Sequence, residues 1–203
     1  LGSNGTLTAG FGQGVYPKAN AGAMLNYRNK KVNLFGNYNY AYRMNLNHLI
    51  LDRNFYTAGV FNGSDLKDNY TKLPFNSNTF RVGADYFPTK KTIVGFVVNS
   101  SLNKYDRTLD NNSVVYNNLK QAVSTFKTAA TNDDGFKNLV ANVNFKHTFD
   151  TTGKELTADV DYGTFRSTSL SRTATNFYNL DGTQKSPDDI LDGDQDGSLN
   201  FKT

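Results

Sequence analysis

Cysteine and tryptophan are absent from the 203 residues, and methionine and histidine occur only twice each. Without thiols there is no disulfide framework, thiolate metal site or cysteine nucleophile. A hydrolytic triad would have to place His48 or His147 beside a nucleophile and a carboxylate, and neither stands in a hydrolase signature, so enzymatic activity is not expected. His48 falls in a stretch that reads as a polar, solvent-exposed loop, and His147 lies on an apolar strand face just before Phe149. No run approaches the roughly 18 apolar residues that a membrane-spanning helix requires, so any passage through a membrane must be made by strands. Hydrophobic residues make up only 37% of the chain and the mean hydropathy is -0.57, too little for a conventional packed core to be the obvious reading. Concentrated positive charge is missing as well: 22 basic and 18 acidic residues are interleaved, which gives no support to nucleic-acid binding. A starting Met and a charged-then-apolar leader are not seen, and the chain is read as a mature or trimmed portion of its parent.

What the chain has in quantity is asparagine, at 27 residues, with 17 Gly, 15 Phe and 12 Tyr, a composition suited to strands and turns. Strict alternation is clearest from Thr79 to Phe87, where Phe80, Val82, Ala84 and Tyr86 oppose Thr79, Arg81, Gly83 and Asp85. It recurs from Glu155 to Gly163, with Leu156, Ala158, Val160 and Tyr162 against Thr157, Asp159 and Asp161. Ala21, Ala23, Leu25 and Tyr27 form a third apolar set, Val32, Leu34, Tyr38, Tyr40 and Tyr42 a fourth, and Leu139, Ala141, Val143, Phe145 and Phe149 a fifth. Leu7, Ala9 and Phe11 form a shorter one. A period of two puts each set on one side of a sheet. Phe35 interrupts the polar side of its strand, and Thr92 to Ser100 is apolar on both sides, which leaves its orientation open.

Three connections are very short: around Asn29 and Lys30, from Pro88 to Lys91, and from Asp150 to Lys154. Each is a hairpin signal. Between them lie long polar segments, roughly 43–78, 103–135 and 166–203, which read as loops whose ends can prolong the strands. Alternating short and long connections predict an all-β, antiparallel up-and-down meander of about seven strands of about ten residues, forming part of a transmembrane outer-membrane β-barrel over residues 1–203. Tyr27, Tyr86 and Phe149 each stand on the apolar face just before a short turn, the pattern of an interfacial aromatic girdle. On the polar faces, Arg81, Asp85, Lys146, Asp159, Asp161 and the asparagines are expected to satisfy one another or a plug, with a hydrated channel or solute contact as the other reading.

The stretches LGSNGTLTAGFGQG, LNYRNKKVNLFGNYNY and GADYFPTKKT, with the strands around them, resemble the barrel of Bacteroidota outer-membrane β-barrel proteins related to TonB-dependent receptors. The likeness runs over most of the chain and rests on strand and turn motifs, which speak for architecture more than for substrate. It implies a complete barrel of about 22 strands, preceded by a plug domain with a TonB-contacting segment. It further implies that this chain is the first third or so of the barrel, and that the parent takes up a nutrient across the cell outer membrane. Outer-membrane lipid, the plug, TonB and a surface lipoprotein are then the expected partners.

One local motif points to a cation. Asp192, Asp194, Asp196 and Gly197 in LDGDQDGSLN have the D-x-D-x-D-G spacing that opens a calcium-binding loop, although Thr203 stands where the bidentate Glu should be. The alternative is a solvated acidic loop. Gly10, Gly12 and Gly14 lack the Lys-Ser/Thr of a phosphate loop and are expected to relieve crowding on the polar wall. Two functional classes compete with the transport or receptor barrel: a soluble, secreted β-rich binding or adhesion module with its apolar faces packed as a sandwich, and a small self-closing structural barrel whose eighth strand would come from 166–203.

Overall fold

The computed structural model describes residues 1–150 and 152–203. Alternation does what a period of two dictates. Eight strands form one antiparallel sheet in sequence order: β1 (Gly2–Gln13), β2 (Pro17–Arg28), β3 (Val32–Thr57), β4 (Val60–Thr89), β5 (Thr92–Asn117), β6 (Ala122–Thr148), β7 (Glu155–Tyr178) and β8 (Asp189–Lys202). No helix is present among the described residues. The sheet is open: β1 pairs only with β2 and β8 only with β7, and strands that are not neighbours make no contact. The eighth strand that a small closed barrel would need therefore exists, without the β1 to β8 pairing that would close it. The count of eight corrects the expected seven, because β8 forms inside the 166–203 segment read as mostly loop.

The larger correction concerns length. A span of about ten residues describes the apolar part of each strand, whereas β3 to β7 are 24 to 30 residues long. At about 3.3 Å per residue, the 30 residues of β4 would extend ~100 Å, several times a bilayer's hydrocarbon thickness. The segments 43–78 and 103–135 are two continuous hairpins, not loops, turning at Ala58 and Gly59 and around Lys120. Asn, Asp, Thr and Ser are poor strand formers in isolation, but here they are paired with at least one neighbouring strand along nearly the whole length of the hairpins, and the ladder outweighs residue preference. Ala58 and Gly59, with φ of 51° and 79°, occupy the two left-handed positions of a tight hairpin turn.

Short polar side chains set the other turns. Asn29 Oδ1 accepts the backbone N–H groups of Lys31 and Val32, both at 2.8 Å. Thr89 Oγ1 accepts from the Lys91 N–H at 3.1 Å, and Asn117 Oδ1 from those of Leu119 at 2.9 Å and Gln121 at 3.0 Å. In the expected turn at Asp150 to Lys154, Thr151 lies outside the described residues; Asp150 Oδ1 accepts from the Thr152 N–H at 2.9 Å. These are Asx- and ST-type turns, which explains where much of the asparagine is used.

Nothing packs over either face. Ala130 is the one buried apolar side chain among the described residues, and Val82 and Val160 of the apolar face are 45% and 64% exposed. A one-layer sheet of this kind has no core in the ordinary sense; its cohesion comes from the ladder and from cross-strand side-chain pairs.

Candidate functional site

Pairing register assigns every side chain to a face. On the apolar face, Leu7, Ala23, Tyr38, Phe80 and Ser100 follow one another across β1 to β5 through direct partners. Below this row lie Leu25, Leu34, Val82, Val98 and Ala141, then Val143 beside Val160 and Phe145 beside Ala158. The segment 92–100 resolves the same way: Val94, Phe96 and Val98 join the apolar face, and Gly95, Val97 and Asn99 the polar one. The result is an apolar band about ten residues high across β2 to β7 and shorter on β1, the height of a tilted membrane-crossing strand, whereas β8 sets Asn200 and Lys202 beside it.

Aromatic rings mark the band at both ends, as a row drawn from three hairpins at the short turns and as a run along β3 at the other end. At the short-turn end Tyr27, Tyr86 and Phe149 are all exposed, and His147 packs edge-on against Phe149 at 4.8 Å while its Nδ1 lies 2.9 Å from Thr92 Oγ1. At the opposite edge stand Tyr38, Tyr40 and Tyr42. The Tyr38 hydroxyl donates to Asn78 Oδ1 at 2.6 Å and that of Tyr40 to Asn76 Oδ1 at 3.1 Å, so each ring lies on the band with its polar tip directed beyond it. This run is confined to β3 and has no counterpart row across the neighbouring strands. The Y-x-Y-x-Y spacing of 38–42 was its signal.

The polar face carries two distinct rows. The first is a belt of amides and carboxylates opposite the apolar band. Asn26 Nδ2 donates to Asn33 Oδ1 at 3.4 Å, and Asn33 Nδ2 to Asp85 Oδ2 at 2.9 Å. Gly95 follows, and a side chain there would meet Asp85 and Asn144 within 2.8 Å; its absence lets the belt continue across β5. Asn144 Nδ2 then donates to Asn142 Oδ1 at 3.2 Å, Asn142 Nδ2 to Asp161 Oδ1 at 2.9 Å, and the Thr203 hydroxyl to Asp161 Oδ2 at 3.2 Å. Lys146 is paired with Glu155 at 2.7 Å. Arg81 lies over the Phe35 ring at 5.7 Å, and Phe35 itself lies over Gly83, where the missing side chain leaves it room. Gly10 and Gly22 are crowded by polar side chains in the same manner, whereas a side chain at Gly12 would meet open space and Gly14 lies outside the strands. The crowding role expected of all three N-terminal glycines therefore holds for Gly10 alone.

The second row is aromatic and lies further from the short turns. Phe75 stacks on Tyr105 at 4.6 Å, Tyr105 meets Phe136 edge-on at 5.8 Å, and Phe136 meets Phe165 at 6.4 Å. Phe165 is the direct partner of Leu199, and Phe201 lies over Gly163 one step below. Five adjacent strands thus carry an apolar stripe on a face that is otherwise Asn, Ser, Thr and charge. Beyond it, Asp65 is buried against Arg53 at 2.6 Å and Lys67 at 3.6 Å, and Ser113, 2% exposed, donates to Asn111 Oδ1 at 2.7 Å. Asn111 and Ser113 are buried with their hydrogen bonds made, so the polar face of the long hairpins is satisfied where neighbouring side chains cover it.

The D-x-D-x-D-G motif lies in strand β8. A spacing of two along a strand sets Asp192, Asp194 and Asp196 in a row on one face, where a loop would converge them on a point. Asp196 accepts from Arg166 at 2.8 Å, which holds its carboxyl below the usual range, and Asp192 lies 3.6 Å from Arg172. No group of three or more acidic or imidazole side chains among the described residues is arranged to hold a metal ion. His48, expected in a loop, stands on β3 and is exposed, 2.6 Å from Asp68.

No family model matches the chain, and no curated protein matches it.

Proposed function

We propose that the chain is part of an outer-membrane transport or receptor barrel, with the apolar band in lipid, the polar belt toward a lumen, and the long hairpins outside the cell. The observation that carries this reading is the one-layer sheet whose exposed apolar band ends at the short turns in an aromatic row drawn from successive strands. Water cannot cover such a band cheaply: at about 25 cal/mol per Å² each exposed Val, Leu or Phe forfeits roughly 1.5 to 3 kcal/mol of burial. Lipid covers it without a second sheet. A sandwich would need that second sheet, and all eight strands lie in one.

The free edges of β1 and β8 are consistent with a larger barrel, because unpaired backbone groups at a bilayer's depth have to be satisfied by further strands. Within this reading the parent is a TonB-dependent nutrient receptor with a plug against the polar belt, as the family resemblance implies.

The absence of cysteine makes the test direct. Single Val160→Cys and Asp159→Cys variants, labelled with a nitroxide in reconstituted bilayers, should differ in kind: the first relaxed by oxygen dissolved in lipid, the second by a water-soluble nickel chelate. Equal access of the chelate to both positions, or a folded, monodisperse chain in buffer without detergent, would overturn the proposal.

A further inference from the structure

We propose that the short-turn rim of the sheet binds the anionic headgroups of the phospholipid leaflet it faces. The inference rests on the transmembrane reading above and adds a ligand to it. Each of the three short turns carries lysine: Lys30 and Lys31 between β2 and β3, Lys90 and Lys91 between β4 and β5, and Lys154 between β6 and β7. All five are exposed. Arg28 adds a guanidinium at the end of β2, over the ring of Phe87 at 5.4 Å. Lys30, Lys31 and Lys90 line a cleft of about 510 Å³ between the first two turns with no carboxylate among the described residues, and Arg28 and Phe87 bound it on the polar-face side. None of these four, nor Lys154, is paired with a described acidic side chain.

Most carboxylates near this end are already engaged, and Asp159 lies on the polar face away from the turns. Glu155 is paired with Lys146, Asp85 belongs to the amide belt, and Asp150 closes its own turn through Thr152 and Lys154 backbone groups. The rim is therefore positive with its counter-ions to be supplied from outside. Its position identifies the supplier. The lysines follow directly on Tyr27, Tyr86 and Phe149, the aromatic row expected at the boundary between hydrocarbon and headgroups, so the ammonium groups reach the depth of the lipid phosphates. A protein partner would meet one spot; the pattern repeats at three successive turns, and a leaflet is the partner that meets all three alike. The opposite end differs: the β7 to β8 connection holds Asp181 and Asp188 with Lys185, and no paired lysines recur.

A juxtamembrane lysine is drawn to an anionic surface, and several together suffice to select lipid by charge. The test uses the full-length protein in bilayer nanodiscs of phosphatidylcholine with a minor fraction of phosphatidylglycerol, with lipid retained after transfer to detergent counted by native mass spectrometry. The wild type should retain phosphatidylglycerol over phosphatidylcholine by about tenfold. The combined K30Q/K31Q/K90Q/K154Q variant should show no preference, and a K120Q/K185Q variant at the other end should behave as wild type. Lys91 is left in place because its ammonium group donates to the Phe149 carbonyl at 2.8 Å. Equal retention of the two lipids by the wild type, or a preference that survives in the quadruple variant, overturns the inference. Displacement of the bound lipid by millimolar inorganic phosphate also overturns it, in favour of a free-anion site. A chain that does not enter the bilayer fails at the transmembrane reading itself, which keeps the two failures distinct.

Discussion

The two ends of this sheet solve the problem of a polar sequence in opposite ways. Near the short turns, one face is given over to Val, Leu, Ala, Tyr and Phe and the other to an amide belt, so each strand separates sharply into two chemistries. Toward the long hairpins the separation fades. Lys104 bridges Asp106 at 3.1 Å and Asp133 at 3.2 Å on the face that is apolar lower down, while the other face acquires the aromatic stripe and the Arg53 to Asp65 pair. The same backbone ladder runs through both regions without interruption. The ladder therefore does not require amphipathic faces; on the proposed transmembrane reading, amphipathicity marks where one side meets hydrocarbon.

Charge substitution is the sharpest way to break that comparison. Val160→Arg should destabilise the inserted protein by roughly 2 to 4 kcal/mol near the midplane, and Asp159→Arg on the opposite face of the same strand much less. The check is urea unfolding from lipid vesicles. Arg in place of Leu170, an exposed apolar residue on the same face of β7 but in the hairpin region, should cost little. A large penalty at Leu170 would extend the hydrocarbon zone well past the tyrosine run and remove the distinction between the two ends.

Overpacking ranks next. A side chain at Gly83 would meet the Phe35 ring and approach the Phe96 carbonyl oxygen at 2.7 Å, and the latter cannot yield because it is backbone. Gly83→Val should cost about 1 to 3 kcal/mol by the same unfolding measurement. Gly12→Val, where a side chain meets open space, should be nearly silent. Smaller again is Tyr38→Phe, which removes the 2.6 Å hydrogen bond to Asn78 while leaving the ring. About 0.5 to 1.5 kcal/mol is expected, toward the lower end because water reaches both partners. Tyr27→Phe at the other edge, which loses a longer hydrogen bond accepted from Asn29 at 3.2 Å, should cost less again.

How much of this was legible in the sequence follows from which interactions are local. Faces, short turns and the first aromatic row depend on a period of two and on residues within a turn, so Phe80 to Tyr86 and Asn29 declared themselves. Strand length was misjudged because the segments 43–78 and 103–135 are rich in residues that favour loops, and what holds them extended is pairing with partners tens of residues away. The motif at Asp192 to Asp196 shows the same limit: a spacing of two fits a cation loop and a strand equally, and only the pairing of β8 with β7 decides between them. Phe35 looked like an error in a polar face until Gly83, 48 positions away, was placed beneath it. The stripe from Phe75 to Phe165 draws one residue from each of four strands and left no periodic signal at all.

The mildest test bears on what replaces amphipathicity in the hairpins. There, exposed ion pairs stand on the face that is apolar nearer the short turns, and Arg166 with Asp196 is the best formed, with two hydrogen bonds at 3.3 and 2.8 Å. Hydrogen bonding to the guanidinium lowers the Asp196 pKa in the folded state, so its contribution is fully present above the unfolded value of about 3.9 and is lost as pH falls through the depressed folded value. Amide protection along Asp189–Lys202, corrected for intrinsic exchange, should therefore decline between about pH 5 and pH 2. In Asp196→Asn that decline should be reduced, with Asp181, whose carboxyl is also held low by Thr183, accounting for part of what remains. Protection in the apolar band of β6 and β7 should not follow either change, because no acid with such a partner stands on that face. A band that loosened in step with β8 would mean that the sheet opens as a single unit, and the two ends would then differ in chemistry but not in stability.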